Sequence, residues 1–176
     1  MKKRILFLLS ILLVLTGCTR IDTYGNNYSG LVNDVLSYNN KYVNNTSIGY
    51  KYYLPREIKV IVNKDYNQTF KYLDNYIYLY VDVVSYYYKN KLNLSESNKN
   101  HYYYSDIGDS GYIYIDKEED NYFIKMVYNY AKIECYSRYE DLNKLILYST
   151  IISSVLIIIV KTLALSEKNV LKIKEN

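Results

Sequence analysis

The run YIYLYVDVVSYYY, residues 76–88, decides the fold class. It is the longest β-favouring stretch in the chain, with Tyr, Ile, Leu or Val at nearly every position and Asp82 as the one interior charge. A stretch apolar on both faces reads as a central strand covered on both sides, so the sequence predicts one strand from Tyr76 to Tyr88 inside a sheet.

The neighbouring segments supply partners for that strand. Upstream, Phe70 to Leu73 reads as a strand joined to it through a hairpin turn at Asp74-Asn75. Gly49 to Val62 reads as two extended pieces meeting at Leu54-Pro55, because Pro55 has no N–H for a central ladder and biases Leu54 towards an extended backbone. In the second piece Ile58, Val60 and Val62 alternate with Glu57, Lys59 and Ile61, which predicts one apolar face, closed by the turn residues Asn63-Lys64-Asp65. Downstream, Lys89 to Asn100 is polar and reads as a solvated loop. Tyr112 to Ile115 and Tyr122 to Tyr130 flank the charged link Asp116 to Asn121, a hairpin with a solvated tip. Ala131, Ile133 and Cys135 alternate with Lys132 and Glu134 and extend the sheet.

A helix is expected on each side of these strands. Leu31, Val32, Val35, Leu36 and Tyr38 recur at helical spacing within Tyr28 to Tyr42, with Asn27 or Ser29 as cap and Asn39-Asn40 as exit. Ser137-Arg138-Tyr139-Glu140 reads as a capping box, Asp141 adds a second acid in the first turn, and Leu142, Leu145, Ile146, Ser149 and Ile152 follow at helical spacing. Two continuations are open. The helix ends near Ser153-Ser154 and a strand or buried segment runs from Val155 to Val160, or a membrane-spanning helix runs from Leu145 to about Leu165 with Lys161, Lys168, Lys172 and Lys174 beyond it. The uncharged stretch covers roughly 24 Å, short of the ~30 Å hydrocarbon layer, which favours the first. The element order predicts an α+β fold: a largely antiparallel sheet with an N-terminal helix and a C-terminal helix packed on it.

The first residues set the address. Lys2, Lys3 and Arg4 precede an apolar run from Ile5 to Leu15, too short for a spanning helix, then Leu15-Thr16-Gly17-Cys18 and a polar stretch. That is the pattern of an export signal, and Leu15-Thr16-Gly17-Cys18 closely resembles the lipobox of bacterial lipoproteins. The resemblance implies that the Cys18 thiol receives a diacylglyceryl group and becomes the mature N-terminus, with acyl chains such as palmitate holding the protein on the extracellular face of the cell membrane. Two acyl chains meet the two-signal requirement for stable anchoring. The expected organisation is a signal peptide over 1–17, a lipid-anchored tether over 18–27, a single α+β domain over 28–160 and a charged tail over 161–176. The element order resembles the PsbP/Mog1-like layout, and the whole chain resembles lipoproteins of low-GC Gram-positive bacteria; neither resemblance implies an activity.

Charge and composition exclude several function classes. Lys2, Lys3 and Arg4 leave with the signal peptide and no acid does, so the formal charge falls from +4 to +1, which removes the electrostatic argument for nucleic acid. With Cys18 acylated, Cys135 has no disulfide partner within the chain, and the core must hold the fold. Tyr occurs 26 times and Trp not at all, a bias expected of an AT-rich genome, so the Tyr count alone is weak evidence of binding.

The candidate chemistry is sparse. His101 is the only histidine and sits beside Tyr102 at the edge of a polar loop, which reads as a surface residue. Asp116, Glu118, Glu119 and Asp120 lack the Gly and distal Glu of a calcium loop and read as a charged hairpin tip. No catalytic residue, metal site or cofactor is expected. Tyr86, Tyr87, Tyr88, Tyr102, Tyr103 and Tyr104 are the candidate binding residues, since exposed aromatic rings stack on sugars or anchor a protein partner. The expected function is a membrane-anchored surface lipoprotein, not an enzyme, acting as an interaction or accessory module of the cell envelope with an envelope protein as partner. The alternatives are a solute- or glycan-binding lipoprotein, and a small envelope enzyme working through Asp82, His101 or the surface acids.

Overall fold

The computed structural model describes residues 27–38, 42–90, 101–106 and 109–159, with 101–106, 109 and 110 through their backbone only. The signal peptide, Cys18 and most of the tether, residues 91–100 and the 161–176 tail lie outside the described residues. The elements run α1 (Tyr28–Ser37), β1 (Asn45–Ser47), β2 (Tyr50–Tyr52), β3 (Lys59–Lys64), β4 (Asn67–Tyr72), β5 (Asn75–Val81), α2 (Val83–Tyr87), β6 (His101–Asp106), β7 (Asp109–Glu118), β8 (Asn121–Tyr128), β9 (Ala131–Ser137), α3 (Tyr139–Ser154) and β10 (Ile157–Ile158).

Seven strands form one antiparallel sheet in the order β3-β4-β5-β9-β8-β7-β6, and β1-β2-β10 form a small second sheet. The fold is α+β, with α1 and α3 packed on each other and α3 laid across β8 and β9, as the order of helix, strands and helix implies. Period-two alternation builds the core. Phe70, Ile77, Leu79, Ile113, Ile124, Met126, Ile133 and Cys135 point to the inner face and meet Leu142, Leu145, Ile146 and Ile152 of α3, all buried. Tyr50 and Tyr52 of β2 close the same core from the small sheet, with the Tyr52 ring 5.7 Å from Phe70.

Several local expectations change. The run 76–88 does not form one strand: β5 ends at Val81, and Asp82 caps α2 by accepting the Ser85 N–H at 2.9 Å. Tyr86 and Tyr87 are therefore helical, and Tyr88 is the C-cap. An Asp side chain satisfies a helix's first N–H groups and disfavours strand interiors, so the one charge in the run marks its break. Nor is β5 covered on both sides: Ile77, Leu79 and Val81 are buried, whereas Tyr76, Tyr78 and Tyr80 face solvent.

The apolar face expected on Ile58 to Val62 also fails, since only Ile58 is buried and every residue of β3 is exposed. β3 is a sheet edge, and its pairing with β4 shifts between Val60 and Val62, leaving Ile61 in a bulge. Bulged edges resist pairing with other chains. The β4–β5 turn is Leu73-Asp74, with Leu73 at φ 49, one residue earlier than the turn chemistry of Asp74-Asn75 indicates. The charged link shrinks to Glu119-Asp120, because the ladder of β7 and β8 continues out to Glu118 and Asn121.

At the helices, Asn27 caps α1 by accepting the Gly30 N–H at 3.0 Å, and α1 stops at Ser37, before Asn39. The capping box at Ser137 does not form. Ser137 is the buried last residue of β9, its hydroxyl donates to the Arg138 carbonyl, and Arg138 becomes an N-cap without a side-chain bond. Glu140 and Asp141 do occupy the first turn, where the helix dipole favours acids. Asp141 also accepts from the Asn75 amide at 2.9 Å, tying the start of α3 to the start of β5. The helix ends at Ser154, and β10 then turns back to pair with β2, so the continuous helix from Leu145 to Leu165 is not formed. Among the described residues no helix is long and apolar enough to cross a membrane.

Candidate functional site

Among the described residues no helix covers the outer face of the large sheet, and the register sets what it displays. One row across the strands reads Thr69, Tyr78, Glu134, Lys125, Tyr114, and the next reads Asn67, Tyr80, Lys132, Val127, Tyr112. Beside them Tyr76 pairs with Lys71, and Tyr136 pairs with Phe123. The alternation that buries Ile77, Leu79 and Val81 forces Tyr76, Tyr78 and Tyr80 to this side. These three and Tyr136 are 41–51% exposed, although β5 and β9 are the middle strands where a sheet is best ordered.

The rings and charges of the face are organised among themselves. Phe123 packs on Tyr136 at 5.2 Å and on Tyr114 at 6.3 Å, giving an aromatic strip across three strands. Lys132 pairs with Glu134 at 3.3 Å, and the Lys71 ammonium lies 5.7 Å from the centre of the Tyr76 ring. The Tyr114 hydroxyl donates to Asp116 at 2.8 Å. The result is a surface on which ring faces and hydroxyls stand among partly paired charges.

The structure does not gather the six candidate tyrosines into one site. Tyr86 stands on α2 with its ring 5.2 Å from Tyr130, and Tyr87 and Tyr88 pack on each other at 5.2 Å. Tyr102, Tyr103 and Tyr104 lie in β6, the other edge of the sheet, opposite Ile113, Tyr112 and Gly111; their side chains are outside the described set. Three strands separate β5, which leads into α2, from β6. The tyrosines of the open face, Tyr76, Tyr78, Tyr80 and Tyr136, escape a reading that takes 76–88 as one doubly covered strand. Their signal is the strict alternation with Ile77, Leu79 and Val81.

Of the groups considered for catalysis, Asp82 and Asp116 are engaged in local hydrogen bonds. Asp82 is engaged as the cap of α2, and Asp116 accepts from Tyr114 and from the Lys117 N–H. His101 opens β6, its side chain outside the described set. Among the described residues no three His, Cys, Asp or Glu side chains come together as metal ligands. Cys135 is buried at the middle of β9, and burial pushes its thiol up to about 12, which makes it a packing residue and not a nucleophile. Tyr148 of α3 donates to Glu57 at 2.5 Å and is edge-on to Tyr72 at 5.1 Å. Burial first, and Glu57 second, raise the Tyr148 hydroxyl above the ordinary tyrosine value. Separately, a cavity of about 290 Å³ opens at the far end of α3, where the β8–β9 turn approaches α2 and β10.

Residues 1–19 match the prokaryotic membrane lipoprotein lipid attachment site. The match includes Cys18 and supports acylation there. No curated protein and no solved structure matches the chain.

Proposed function

We propose that this lipid-anchored membrane lipoprotein is an interaction or accessory module of the cell envelope that engages an envelope protein partner through the open aromatic face of its large sheet. The attachment site at residues 1–19 provides the anchoring. The observation that carries the rest is the exposure of Tyr76, Tyr78, Tyr80 and Tyr136 on the two middle strands. A ring held on a rigid strand loses little side-chain entropy on contact, and its hydroxyl offers a directional bond, which is why Tyr is common among interface anchors. The face draws its rings from β5, β9, β8 and β7. The intramolecular Lys132–Glu134 pair neutralises two of the charges on the face.

The test places a photo-crosslinking benzoylphenylalanine at Tyr78 of the lipidated protein in cells, with the same group at exposed Tyr38 as the control. A discrete adduct from position 78, absent from position 38 and lost when Tyr76→Ser and Tyr80→Ser are added, is the expected result. Equal adducts from both positions, or an adduct indifferent to the Ser substitutions, would exclude the face as the contact surface.

A further inference from the structure

The cavity at the C-terminal end of α3 is distinct from the sheet face. Tyr86 and Tyr130, which meet edge to face at 5.2 Å, line it together with Tyr128, Ser154 and Ile157. Among the described residues no side chain lining it is ionisable apart from the tyrosine hydroxyls. At about 290 Å³ it holds a small organic group, not a single water.

Three features favour a positive charge there. α3 is 16 residues long and ends beside the cavity; Ser153 and Ser154 donate to the Thr150 and Ile151 carbonyls, but no basic residue in the last turn offsets the negative end of its dipole. The ring faces of tyrosines attract cations. Asp82, whose N–H donates to the Tyr130 carbonyl at 2.7 Å and whose carboxylate caps α2 one turn before Tyr86, adds an acid next to the aromatic wall. All three favour a cation over an anion.

We infer that this cavity is a binding site for a small organic cation, an amine or quaternary ammonium group, held by the Tyr86, Tyr128 and Tyr130 rings at the C-terminal end of α3. The cation comes either from a free solute or from a lipid headgroup of the membrane to which Cys18 is attached. The site needs no partner on the sheet face, so failure of the face contact leaves it standing, and the reverse holds.

The experiment titrates choline, and then its neutral carbon isostere dimethylbutanol, into the full lipidated protein in phosphatidylglycerol nanodiscs by calorimetry. Choline is expected to saturate one site and the isostere to bind roughly tenfold more weakly or not at all. Tyr86→Leu and Tyr130→Leu should each weaken choline by about tenfold, Tyr130→Phe should retain it, and Tyr78→Ser on the sheet face should leave it unchanged. Ser154→Lys, which places an ammonium at the end of α3, should abolish it. Because Tyr130→Phe keeps the wall packing, and Ser154→Met fills the same space as Ser154→Lys without its charge and should retain choline better, the site is tested even where a Leu variant fails to fold. Adding phosphatidylcholine to the nanodiscs separates the sources: reduced choline affinity supports a lipid headgroup as occupant, and unchanged affinity supports a free amine. Equal binding of the isostere, no choline binding, or indifference to Ser154→Lys overturns the inference.

Discussion

The two faces of the large sheet use the same residue type for opposite ends. On the inner side Tyr50, Tyr52, Tyr72 and Tyr148 are buried, and each hydroxyl has to be accommodated: Tyr148 finds Glu57, while that of Tyr50 has no partner among the described residues. On the outer side Tyr76, Tyr78 and Tyr80 expose both ring and hydroxyl. A chain rich in Tyr for reasons of composition fills its core with Tyr and leaves more on its surface. Position in the register, not count, separates packing from presentation. β5 makes the point within one strand, because sliding its pairing by one residue would exchange the two sets.

The largest contrast should appear in alkali. Burial holds the hydroxyls of Tyr50, Tyr52 and Tyr148 above the ordinary value of 10.0, with Glu57 adding to the effect at Tyr148, and Cys135 is pushed up from 9.0 to about 12. The folded state then keeps protons that the unfolded chain releases above about pH 9, so the inner face contributes its full stability below that pH and loses it as pH rises. Circular dichroism followed from pH 8 to 12 should show cooperative unfolding, together with tyrosinate absorbance from the buried rings. Retention of the fold at pH 12 would contradict the closed inner face.

Ile133→Ala, on β9 beneath α3, should lower the urea-unfolding free energy by about 2–5 kcal/mol, through lost burial and a cavity the sheet cannot collapse. Tyr148→Phe should lower it by about 1–2 kcal/mol through the bond to Glu57, and the effect should vanish in a Glu57→Ala background, which removes the acceptor. Tyr78→Thr, on the open face, should change stability by no more than about 0.5 kcal/mol in the same assay, since Thr suits a strand and the ring is not packed beneath a helix. A cost comparable to that of Ile133→Ala would mean that the outer face is covered after all.

The α+β class was legible because its signals are local. Ala131, Ile133 and Cys135 alternate on β9, and Leu142, Leu145, Ile146, Ser149 and Ile152 follow the helical period on α3. What was not legible depended on the neighbours each segment meets. β3 has the apolar residues of a buried strand, yet edge position and a bulge leave Val60, Ile61 and Val62 in solvent. Leu73 takes a left-handed turn conformation that Leu disfavours, because six flanking pairs from Asn67↔Tyr80 to Tyr72↔Asn75 hold it there. The open face was half legible. The Tyr alternation at 76, 78 and 80 is plain, but only the break at Asp82 shows that it belongs to a short, one-sided strand and not a long buried one.

The return of β10 to β2 also bears on how the protein is made. Ile157 and Ile158 pair with Lys51 and Tyr50, and the Ile159 N–H donates to the Gly49 carbonyl at 2.6 Å, so residues from near the two ends of the described chain sit side by side. Contacts this distant in sequence slow folding, because a long loop must close before they contribute. For a chain exported N-terminus first, β2 emerges long before its partner. The small sheet is completed only once the segment after α3 has crossed, by which time a lipid on Cys18 would already hold the other end at the membrane, so the final step of folding is set by the last part of the domain to be secreted.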